Sequence, residues 1–227
     1  MSTLSEKKNL TFRYFEALLQ EFSLETIFVA WTGGKDSSVV LSLWRQFLST
    51  RPGTSSAPVQ ALNIDTGLKF PEVLAFRDSQ ATEWDVQVHV VRPDARDLAI
   101  GPNPEDPVAC CQRLKILPLL RAVQDLGVAV LMTGIRHDEH RSRQIDSWRE
   151  LRHDPEYVQA HPVLHWSEMD IWAHHLQEGL AYCDLYDRGY RSLGCRPCTR
   201  DSEFSERSGR NQDKEDQLHV LRSLGYF

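Results

Sequence analysis

The chain has 227 residues, of which 41% are hydrophobic and 26% are charged, and its formal net charge is −6. This length suits one large domain with a short appendage, and the composition is that of a globular protein. The negative charge disfavours general binding to nucleic acid, although a local basic stripe could still bind it. No apolar run approaches the ~18 residues of a membrane span, and the N-terminus lacks a signal-peptide core. We therefore expect a cytoplasmic protein whose thiols stay reduced.

Short apolar runs alternate with segments of helical periodicity along the first 134 residues. Helical spacing predicts an N-terminal helix within residues 1–24, and short apolar runs of this kind are typical of buried parallel strands. The predicted strands lie at 26–31, 59–64, 86–91 and 128–133, and the predicted helices at 37–48, from 71 onward and at 110–126. This order predicts an α/β fold, Rossmann-like, with a doubly wound and mostly parallel sheet.

The remaining segments are predicted to be less regular. We expect residues 92–109 to form a long proline-rich loop over the site, and residues 136–155 to form a mobile charged loop. A helix is predicted from Ser167, its N-cap, to Gly179. The predicted organisation is an N-terminal helix at 1–24, an α/β domain at 25–198 and a C-terminal tail over the active site at 199–227.

A glycine turn, Ala30-Trp-Thr-Gly-Gly-Lys-Asp-Ser-Ser38, joins the first predicted strand to the following helix. Glycines let backbone N–H groups approach phosphate closely, and a helix N-terminus adds donors and partial positive charge. The turn resembles the SGGKDS loop of the PP-loop ATP pyrophosphatases; the alternative is a plain strand–helix turn. The resemblance implies that nucleotide is contacted by Thr32, Gly33, Gly34, Ser37 and Ser38, with Lys35 and Asp36 as catalytic residues.

The second predicted strand ends in Asn63-Ile-Asp-Thr-Gly-Leu-Lys-Phe-Pro-Glu72. Ligands bind at the carboxyl ends of strands in such sheets, where Asp65 could hold Mg²⁺ and Thr66 could contact nucleotide. The alternative is a turn capped by an aspartate. The segment resembles the DTG-x-x-FPE element of adenylyl-sulfate reductases and of the small subunit of bacterial sulfate adenylyltransferase, and its continuation is nearer the latter.

Four cysteines form two pairs, Cys110-Cys111 and Cys195-Arg-Pro-Cys198. Spacing alone allows a [4Fe–4S] cluster, a Zn²⁺ site or two inert buried pairs. Both surroundings resemble cluster-bearing adenylyl-sulfate reductases, with their CC-x-x-x-K-x-x-PL and GY-x-S-[IL]-GC-x-x-CT elements. This implies a [4Fe–4S] cluster on Cys110, Cys111, Cys195 and Cys198, with Lys115 as a catalytic cation between cluster and substrate. The remaining Cys183 is either buried and inert or a sulfur-carrying thiol.

Several arginines are suited to bind a phosphate, sulfate or carboxylate, because guanidinium forks match such oxygens. The segment from Thr133 to Arg143 resembles the G-[IA]-R-x-[DE] element of the same family, and the tail resembles the adenylyltransferase small subunit. The resemblance implies Arg136 as catalytic, and Gly134, Arg141, Arg143, Arg207 and Arg210 as nucleotide contacts. The alternatives are a solvated charged loop and a polar tail without function.

The motifs come from two relatives, which sets the functional expectation. The chain has no cysteine after Cys198, so the C-terminal thiolate nucleophile of the reductases is missing from its expected place. The resemblance implies an adenine nucleotide alpha hydrolase-like fold with a C-terminal cluster-binding segment. We predict ATP-dependent adenylyl transfer of the sulfurtransferase type, with release of pyrophosphate. The DNA phosphorothioation sulfurtransferases are relatives that combine an intact loop with a cluster.

Three other functions stay open at this point. They are an adenylyl-sulfate reductase that takes its thiol from elsewhere, a sulfate adenylyltransferase subunit with a GTPase partner, and a non-catalytic redox module that binds nucleotide. The expected cofactors are a [4Fe–4S] cluster, ATP and Mg²⁺. The expected partners are ATP or an adenylyl-sulfate-like nucleotide, and a sulfur-donor or thiol protein. We expect a homo-oligomer with no membrane partner; nucleic acid is disfavoured as a partner but is not excluded.

Overall fold

The computed structural model describes residues 2–54, 58–103, 105–139 and 145–226. Its centre is a six-stranded sheet in the order β3-β2-β1-β4-β6-β5. The strands are β1 (Ile27–Ala30), β2 (Val59–Ile64), β3 (Val86–Val91), β4 (Val130–Met132), β5 (Arg149–Arg152) and β6 (Tyr157–Ala160). All neighbours pair in parallel except β5, which is antiparallel to β6 at the sheet edge. The predicted α/β fold with a mostly parallel sheet is confirmed.

Helices connect the strands and flank the sheet. They are α1 (Leu4–Glu21), α2 (Lys35–Ser49), α3 (Pro71–Glu83), α4 (Ala95–Ile100), α5 (Pro107–Cys111), α6 (Leu117–Asp125), α7 (Glu168–Glu178), α8 (Gln212–Asp216) and α9 (Leu218–Ser223). Helix α1 begins with a capping box on Thr3, and α7 begins with one on Ser167, as the sequence predicts for the latter. In the part of the chain that the structure describes, no helix is long and apolar enough to cross a membrane.

The alternation of side chains along β1 explains why both faces of the sheet are covered. Ile27, Val29 and Trp31 point into a core formed with α1, α2 and α7. Phe28 and Ala30 point to the opposite face and pack with α6. All five side chains are buried, which is expected of a parallel strand between two layers of helices.

Two predicted loops contain regular structure instead. Residues 92–109 include α4 and the start of α5, because Pro107 occupies the first turn of α5 and Asp106 accepts a hydrogen bond from Ala109 N at 3.0 Å. Residues 136–155 include β5, whose partner β6 was also not predicted. Residues 140–144, which belong to the predicted mobile loop, lie outside the described residues.

Between α5 and α6 the helix widens into a single π turn at Gln112–Ile116. Pro118 follows in the first turn of α6 and has no N–H to donate to the preceding turn, which favours such a local irregularity. The turn follows the Cys110-Cys111 pair directly and carries Lys115 as its fourth residue. It therefore presents the lysine next to the cysteines, in an element type often found at functional sites.

Candidate functional site

A cavity of about 150 Å³ lies where β1, β2 and β4 end. The order of the sheet reverses between β1 and β4, and such a switch point is where doubly wound sheets bind ligands. The cavity wall is formed by the glycine turn after β1, the ends of β2 and β4, the π turn, and the tail with Arg207, Arg210 and Tyr226. The elements that the sequence singled out therefore meet at one place.

Two glycines give the turn after β1 its shape. Gly33 has φ = +81°, a conformation that residues with a side chain rarely adopt. Gly134, after β4, packs directly on the start of α2. A Cβ atom at position 134 would lie 2.7 Å from Ser37 N and 2.8 Å from the Asp36 carbonyl carbon. Only glycine allows β4 to approach the helix N-terminus this closely.

The hydroxyl groups of the turn divide between the cavity and the core. Thr32 and Ser37 line the cavity, and their oxygens lie 3.1 Å apart. Ser37 Oγ also accepts from Thr32 N and donates to Gly34 O at 3.0 Å. Ser38 instead accepts from the indole Nε1 of Trp31 at 3.0 Å and is fully buried. Thus Thr32 and Ser37 face the cavity, whereas Ser38 and Gly33 do not line it.

The predicted catalytic residues Lys35 and Arg136 lie behind the cavity wall in a buried ionic network. Arg136 donates from Nε to Asp36 Oδ1 at 2.7 Å and from Nη2 to Glu206 Oε2 at 2.5 Å. Lys35 Nζ contacts the other Glu206 oxygen and lies 3.2 Å from Asp36 Oδ2. Lys35 and Arg136 are 1% and 0% exposed, and of these four residues only Asp36 lines the cavity.

Burial disfavours the charged form of Lys35, but its acidic neighbours outweigh that cost. Burial alone would lower the pKa of Lys35. Asp36, Tyr186 and Glu206 raise it by more than burial lowers it, so the net pKa lies above its ordinary value. The lysine therefore stays protonated. In this arrangement it fixes the tail to the turn through Glu206.

The two tail arginines differ in how their charges are used. Arg207 binds Glu215 with Nε and Nη2, at 2.6 and 2.8 Å, and Glu139 with Nη1 at 2.6 Å. Arg210 donates from Nη1 to Thr199 Oγ1 at 3.2 Å, its Nε has no partner, and no carboxylate of the described residues pairs with it. Both line the cavity and both are 6% exposed. Of these two arginines, Arg210 is therefore the one whose guanidinium still has a hydrogen-bond donor without a partner.

At the end of β2, Thr66 lines the cavity but its neighbour Asp65 does not. Asp65 Oδ1 accepts from Gly67 N at 3.0 Å and Oδ2 pairs with Arg92 Nε at 3.1 Å, so Asp65 caps a turn and does not line the cavity. Thr66 is fully buried, lines the cavity, and its hydroxyl lies 3.3 Å from Cys195 Sγ. Predicted nucleotide contacts Arg141 and Arg143 lie outside the described residues.

Cys110, Cys111, Cys195 and Cys198 line a second, apolar cavity next to the first. Main-chain contacts fix the Cys195/Cys198 pair to the end of β2 and to the tail: Lys69 and Cys195 form an antiparallel bridge, and Asn211 N donates to Cys198 O at 3.2 Å. Among the described residues, no group of three or more His, Cys, Asp or Glu side chains is arranged to hold a single metal ion. All four thiols are free.

Cys183 lies elsewhere. It is 1% exposed and packs with Val73 and Leu185, and it lines neither of these two cavities. Burial raises the pKa of its thiol, so the reactive thiolate is disfavoured. The structure therefore favours the buried, inert alternative for Cys183.

Cations without carboxylate partners surround the boundary between the two cavities. Lys69, Lys115, Arg210 and Lys214 have no acidic side chain within ion-pair distance among the described residues. Burial raises the pKa of Cys195, but Lys115 and Lys69 more than offset this and lower it to about 6. Burial and the neighbouring charge of Lys115 lower the pKa of Lys69 to about 8. The region has an excess of positive charge that thiolates and a bound anion would neutralise.

Sequence reasoning missed several residues of the site. Tyr186 lines the main cavity, and its hydroxyl accepts from Lys35 N at 2.9 Å. Tyr226 lines it from the tail and accepts from Lys214 Nζ at 2.9 Å. Lys69 lies inside the segment quoted after the second strand, Tyr186 lies shortly before the GY-x-S element, and Glu206 and Tyr226 lie in the tail. Position in or near these segments was the available signal. Nothing in the sequence pattern distinguished the buried Lys214.

A family model of the phosphoadenosine phosphosulfate reductase domain matches residues 26–201, which is more than half of the chain. Among relatives, the chain is 30% identical to an adenosine 5'-phosphosulfate reductase of Streptomyces coelicolor, covering 87% of this chain and 86% of the relative. It is also 30% identical to a sulfate adenylyltransferase subunit 2 of Shewanella sp. (strain W3-18-1), covering 86% and 72%.

Two solved structures are similar in fold. A phosphoadenylyl-sulfate reductase from Candida auris in complex with phosphate aligns with a TM-score of 0.69 at 18% identity, covering 88% of this chain and 98% of that one. An FMN adenylyltransferase from Candida glabrata, in complex with FAD and inorganic pyrophosphate, aligns with a TM-score of 0.70 at 17% identity, covering 89% and 68%. At these identities the likeness concerns the fold alone.

Proposed function

The chain belongs to the phosphoadenosine phosphosulfate reductase domain family, and from that premise we propose that it is an ATP-dependent adenylyl-transferring enzyme of sulfur metabolism with a [4Fe–4S] cluster. In this proposal an acceptor oxygen attacks the α-phosphate of ATP, the bond to the β-phosphate breaks, and pyrophosphate leaves. The family resemblance predicted from the motifs is confirmed. The reaction and the cluster remain proposals.

One observation carries this proposal: Lys115 lines both the cavity at the glycine turn and the cavity of the four cysteines. A single cation therefore borders the place for a nucleotide and the place for a cluster. This is the arrangement that the resemblance implies for Lys115. It supports a reaction in which an anionic substrate group is held next to the cluster.

The glycine turn would bind and stabilise the pyrophosphate part of the nucleotide. Thr32 and Ser37 present hydroxyls to the cavity, and the N-terminus of α2 begins directly behind them. Donors and a helix dipole that are already in place stabilise the charge that develops on a leaving pyrophosphate, with no reorganisation at the moment of reaction. The crystal structure of the FMN adenylyltransferase neighbour contains inorganic pyrophosphate, which is the same leaving group.

In this proposal the four cysteines would hold the cluster. All four thiols line one apolar cavity, and four cysteine thiolates are the usual ligand set of a [4Fe–4S] cluster. When bound, a cluster supplies electron transfer or a fixed negative charge beside the substrate. The chain's own contribution is Lys115 and Lys69, which favour the thiolate form of Cys195.

Mg²⁺ fits less well at the residue predicted to hold it. Both oxygens of Asp65 are engaged, by Gly67 N and by Arg92. Asp36 is the aspartate that lines the cavity, and it is paired with Arg136. We therefore assign no protein ligand to the ion and derive no step through it; Mg²⁺ would be held by the oxygens of the triphosphate.

A second candidate is an adenylyl-sulfate reductase that takes its thiol from another protein. It is favoured by the positive charge of Lys69, Lys115 and Arg210 beside the cysteines, because a sulfate group is an anion. Some of the similar chains are adenosine 5'-phosphosulfate reductases. The burial of Cys183 means that this chain would not supply the thiol from that position.

Product analysis on the anaerobically purified protein distinguishes the candidates. Pyrophosphate is measured with ATP and Mg²⁺ alone, with sulfate, and with duplex DNA as acceptor; sulfite is measured with adenylyl sulfate and a dithiol. Release of pyrophosphate that depends on an acceptor supports adenylyl transfer, and sulfate dependence identifies the adenylyltransferase reaction. Sulfite from adenylyl sulfate, without pyrophosphate from ATP, supports the reductase and contradicts the first proposal.

The cluster has its own test, which does not depend on activity. Iron and acid-labile sulfide are quantified in the wild type, in Cys195→Ser and in the matched control Cys183→Ser. We expect iron and sulfide in the wild type and in Cys183→Ser, and their loss in Cys195→Ser. A wild type that holds zinc and no sulfide, when prepared without oxygen, would refute the cluster.

A further inference from the structure

Tyr186 is placed at the glycine turn by an aromatic cluster that the proposed reaction does not use. It ends a short 3₁₀ turn, Asp184–Tyr186. Its ring centroid lies 5.2 Å from that of Trp172 in an edge-to-face contact and 6.3 Å from that of Tyr182. Lys35 Nζ lies 5.6 Å from the ring centroid, within the range of a cation–π contact. The ring is therefore held on one side by aromatic side chains and on the other by the turn.

The hydroxyl of Tyr186 makes one hydrogen bond to the turn, and in that bond it is the acceptor. Lys35 N donates to Tyr186 Oη at 2.9 Å. A phenol oxygen that accepts from an amide still carries its own proton, which must point elsewhere. Among the described residues, no protein group accepts that proton, although Tyr186 lines the cavity. The oxygen also lies 3.5 Å from the position that a Cβ of Gly34 would occupy, so it stands directly beside the glycine turn.

We propose that the Tyr186 hydroxyl donates a hydrogen bond to the pyrophosphate part of the bound nucleotide, and that it acts as a phosphate-binding residue together with Thr32 and Ser37. This rests on the proposed function, because it names a further contact of the same site. The amide of Lys35 orients the phenol oxygen, and the aromatic cluster fixes the ring. The donor is thus preorganised toward the cavity, which reduces the entropy cost of binding.

The protonation state of the phenol agrees with this role. Burial raises the pKa of Tyr186 well above its ordinary value, and the positive charge of Lys35 only partly opposes this. The hydroxyl therefore keeps its proton across the physiological range. A neutral donor that faces a phosphate oxygen does not repel it, in contrast to a phenolate.

Calorimetric titration of the full-length protein with three probes tests the inference. The probes are inorganic pyrophosphate, ATP and AMP, the last of which carries only the α-phosphate. The test variant is Tyr186→Phe, which keeps the ring and removes one oxygen. The matched control is Tyr182→Phe, because Tyr182 belongs to the same aromatic cluster but its hydroxyl donates to Asp187 at 3.2 Å.

We expect Tyr186→Phe to weaken binding of pyrophosphate and of ATP by about tenfold, the size of one hydrogen bond to a charged group. Binding of AMP should change by less than about twofold, and Tyr182→Phe should bind all three probes like the wild type. The selective loss is the decisive readout, because a general disturbance of the fold would weaken AMP as well.

Two results overturn the inference, and they differ from failure of the proposed function. Unchanged affinity of Tyr186→Phe for pyrophosphate shows that the hydroxyl makes no contact with it, while the glycine turn stays a phosphate site. Equal weakening of AMP and pyrophosphate shows that the hydroxyl acts through the fold or through another part of the nucleotide. If the wild type binds neither pyrophosphate nor ATP, the phosphate site itself is wrong and the inference is refuted with it.

Discussion

The Nη2 atom of Arg136 lies 2.5 Å from Oε2 of Glu206, although 70 positions of the chain separate the two residues. The other oxygen of the same carboxylate contacts Lys35 Nζ. Glu206 therefore joins three elements: the glycine turn, the loop after β4 and the C-terminal tail. The tail also carries Arg207 and Arg210 into the cavity wall. Glu206 therefore helps to hold the tail against the cavity, together with the ion pair between Arg207 and Glu139.

Replacement of Glu206 by glutamine should destabilise the protein. The carboxylate is 9% exposed and pairs with two cations that are almost fully buried. Removal of one partner of a buried ionic network leaves the others without compensation, which costs about 3 kcal/mol. We expect the free energy of unfolding, measured by urea denaturation followed by circular dichroism, to fall by about this amount in Glu206→Gln.

The matched control for this change is Glu203→Gln, three positions earlier in the same tail. Glu203 is exposed, so its replacement should change the free energy of unfolding by less than about 0.5 kcal/mol. Equal stability of Glu206→Gln and Glu203→Gln would mean that the tail does not depend on the Glu206 network.

Arg207 and Arg210 should respond to the same substitution in opposite ways. Arg207 is saturated by Glu139 and Glu215, so Arg207→Met removes the ion-pair partner of the buried Glu215 carboxylate and should cost about 3 kcal/mol of stability. Arg210 has no carboxylate partner among the described residues, so Arg210→Met should cost little stability. It should instead weaken binding of whichever nucleotide the wild type holds more tightly, ATP or adenylyl sulfate, by at least about tenfold.

Thermal unfolding and nucleotide titration on the two variants check this contrast, with the exposed Arg200→Met as a control for the loss of one positive charge. The prediction fails if Arg210→Met binds nucleotide as well as Arg200→Met does. It also fails if Arg207→Met unfolds at the same temperature as the wild type.

Much of the fold could be predicted from the sequence because its signals are local. The strands β2 and β3 have the bounds that their apolar runs predict, and Pro71 and Ser167 mark the starts of α3 and α7. Strands β5 and β6 were missed for a physical reason. The edge strand β5 is polar and half-buried, and its pairing depends on β6 rather than on its own pattern.

The site was predictable in location but not in the roles of its charges. The glycine turn, the cysteine pairs and the tail arginines indicate where ligands bind, because each is a short motif. Whether a cation faces the cavity depends on partners far away in the chain. The motifs predict catalytic roles for Lys35 and Arg136, yet Glu206 pairs with both of them behind the cavity wall. No pattern within the glycine turn could reveal that partner.

Gly134→Ala should damage the phosphate site more than the fold as a whole. The added Cβ would meet two backbone atoms of α2 at 2.7 and 2.8 Å, and backbone cannot move aside as a flexible side chain can. We expect the start of α2 to shift, and binding of pyrophosphate to fall below detection by calorimetry. The control is Gly53→Ala, where nothing lies within 4 Å but φ is +82°; it should lose only about 1 kcal/mol of stability to backbone strain. Normal pyrophosphate binding by Gly134→Ala would contradict the close approach of β4 to the turn.

His174 should make the stability of the protein depend on pH. Burial lowers the pKa of His174 from 6.5 to about 4; Glu178 opposes this shift, and Lys8 and His175 add to it. The unfolded chain therefore takes up a proton below pH 6.5, whereas the folded chain does not until about pH 4. Since the unfolded state binds more protons in this window, stability falls as the pH drops from 6.5 towards 4, and is fully present above it.

The difference in proton binding between the folded and unfolded chain also sets the size of this pH effect on stability. Between pH 7 and pH 5 the contribution of His174 amounts to about 2 kcal/mol. His174→Gln cannot titrate, so its free energy of unfolding should fall by about 2 kcal/mol less than that of the wild type over this range. His153→Gln, at an exposed histidine, should follow the wild type. If His174→Gln and the wild type lose equal stability between the two pH values, the pKa of His174 is not lowered by burial, and the packing of α7 against the core is looser than described.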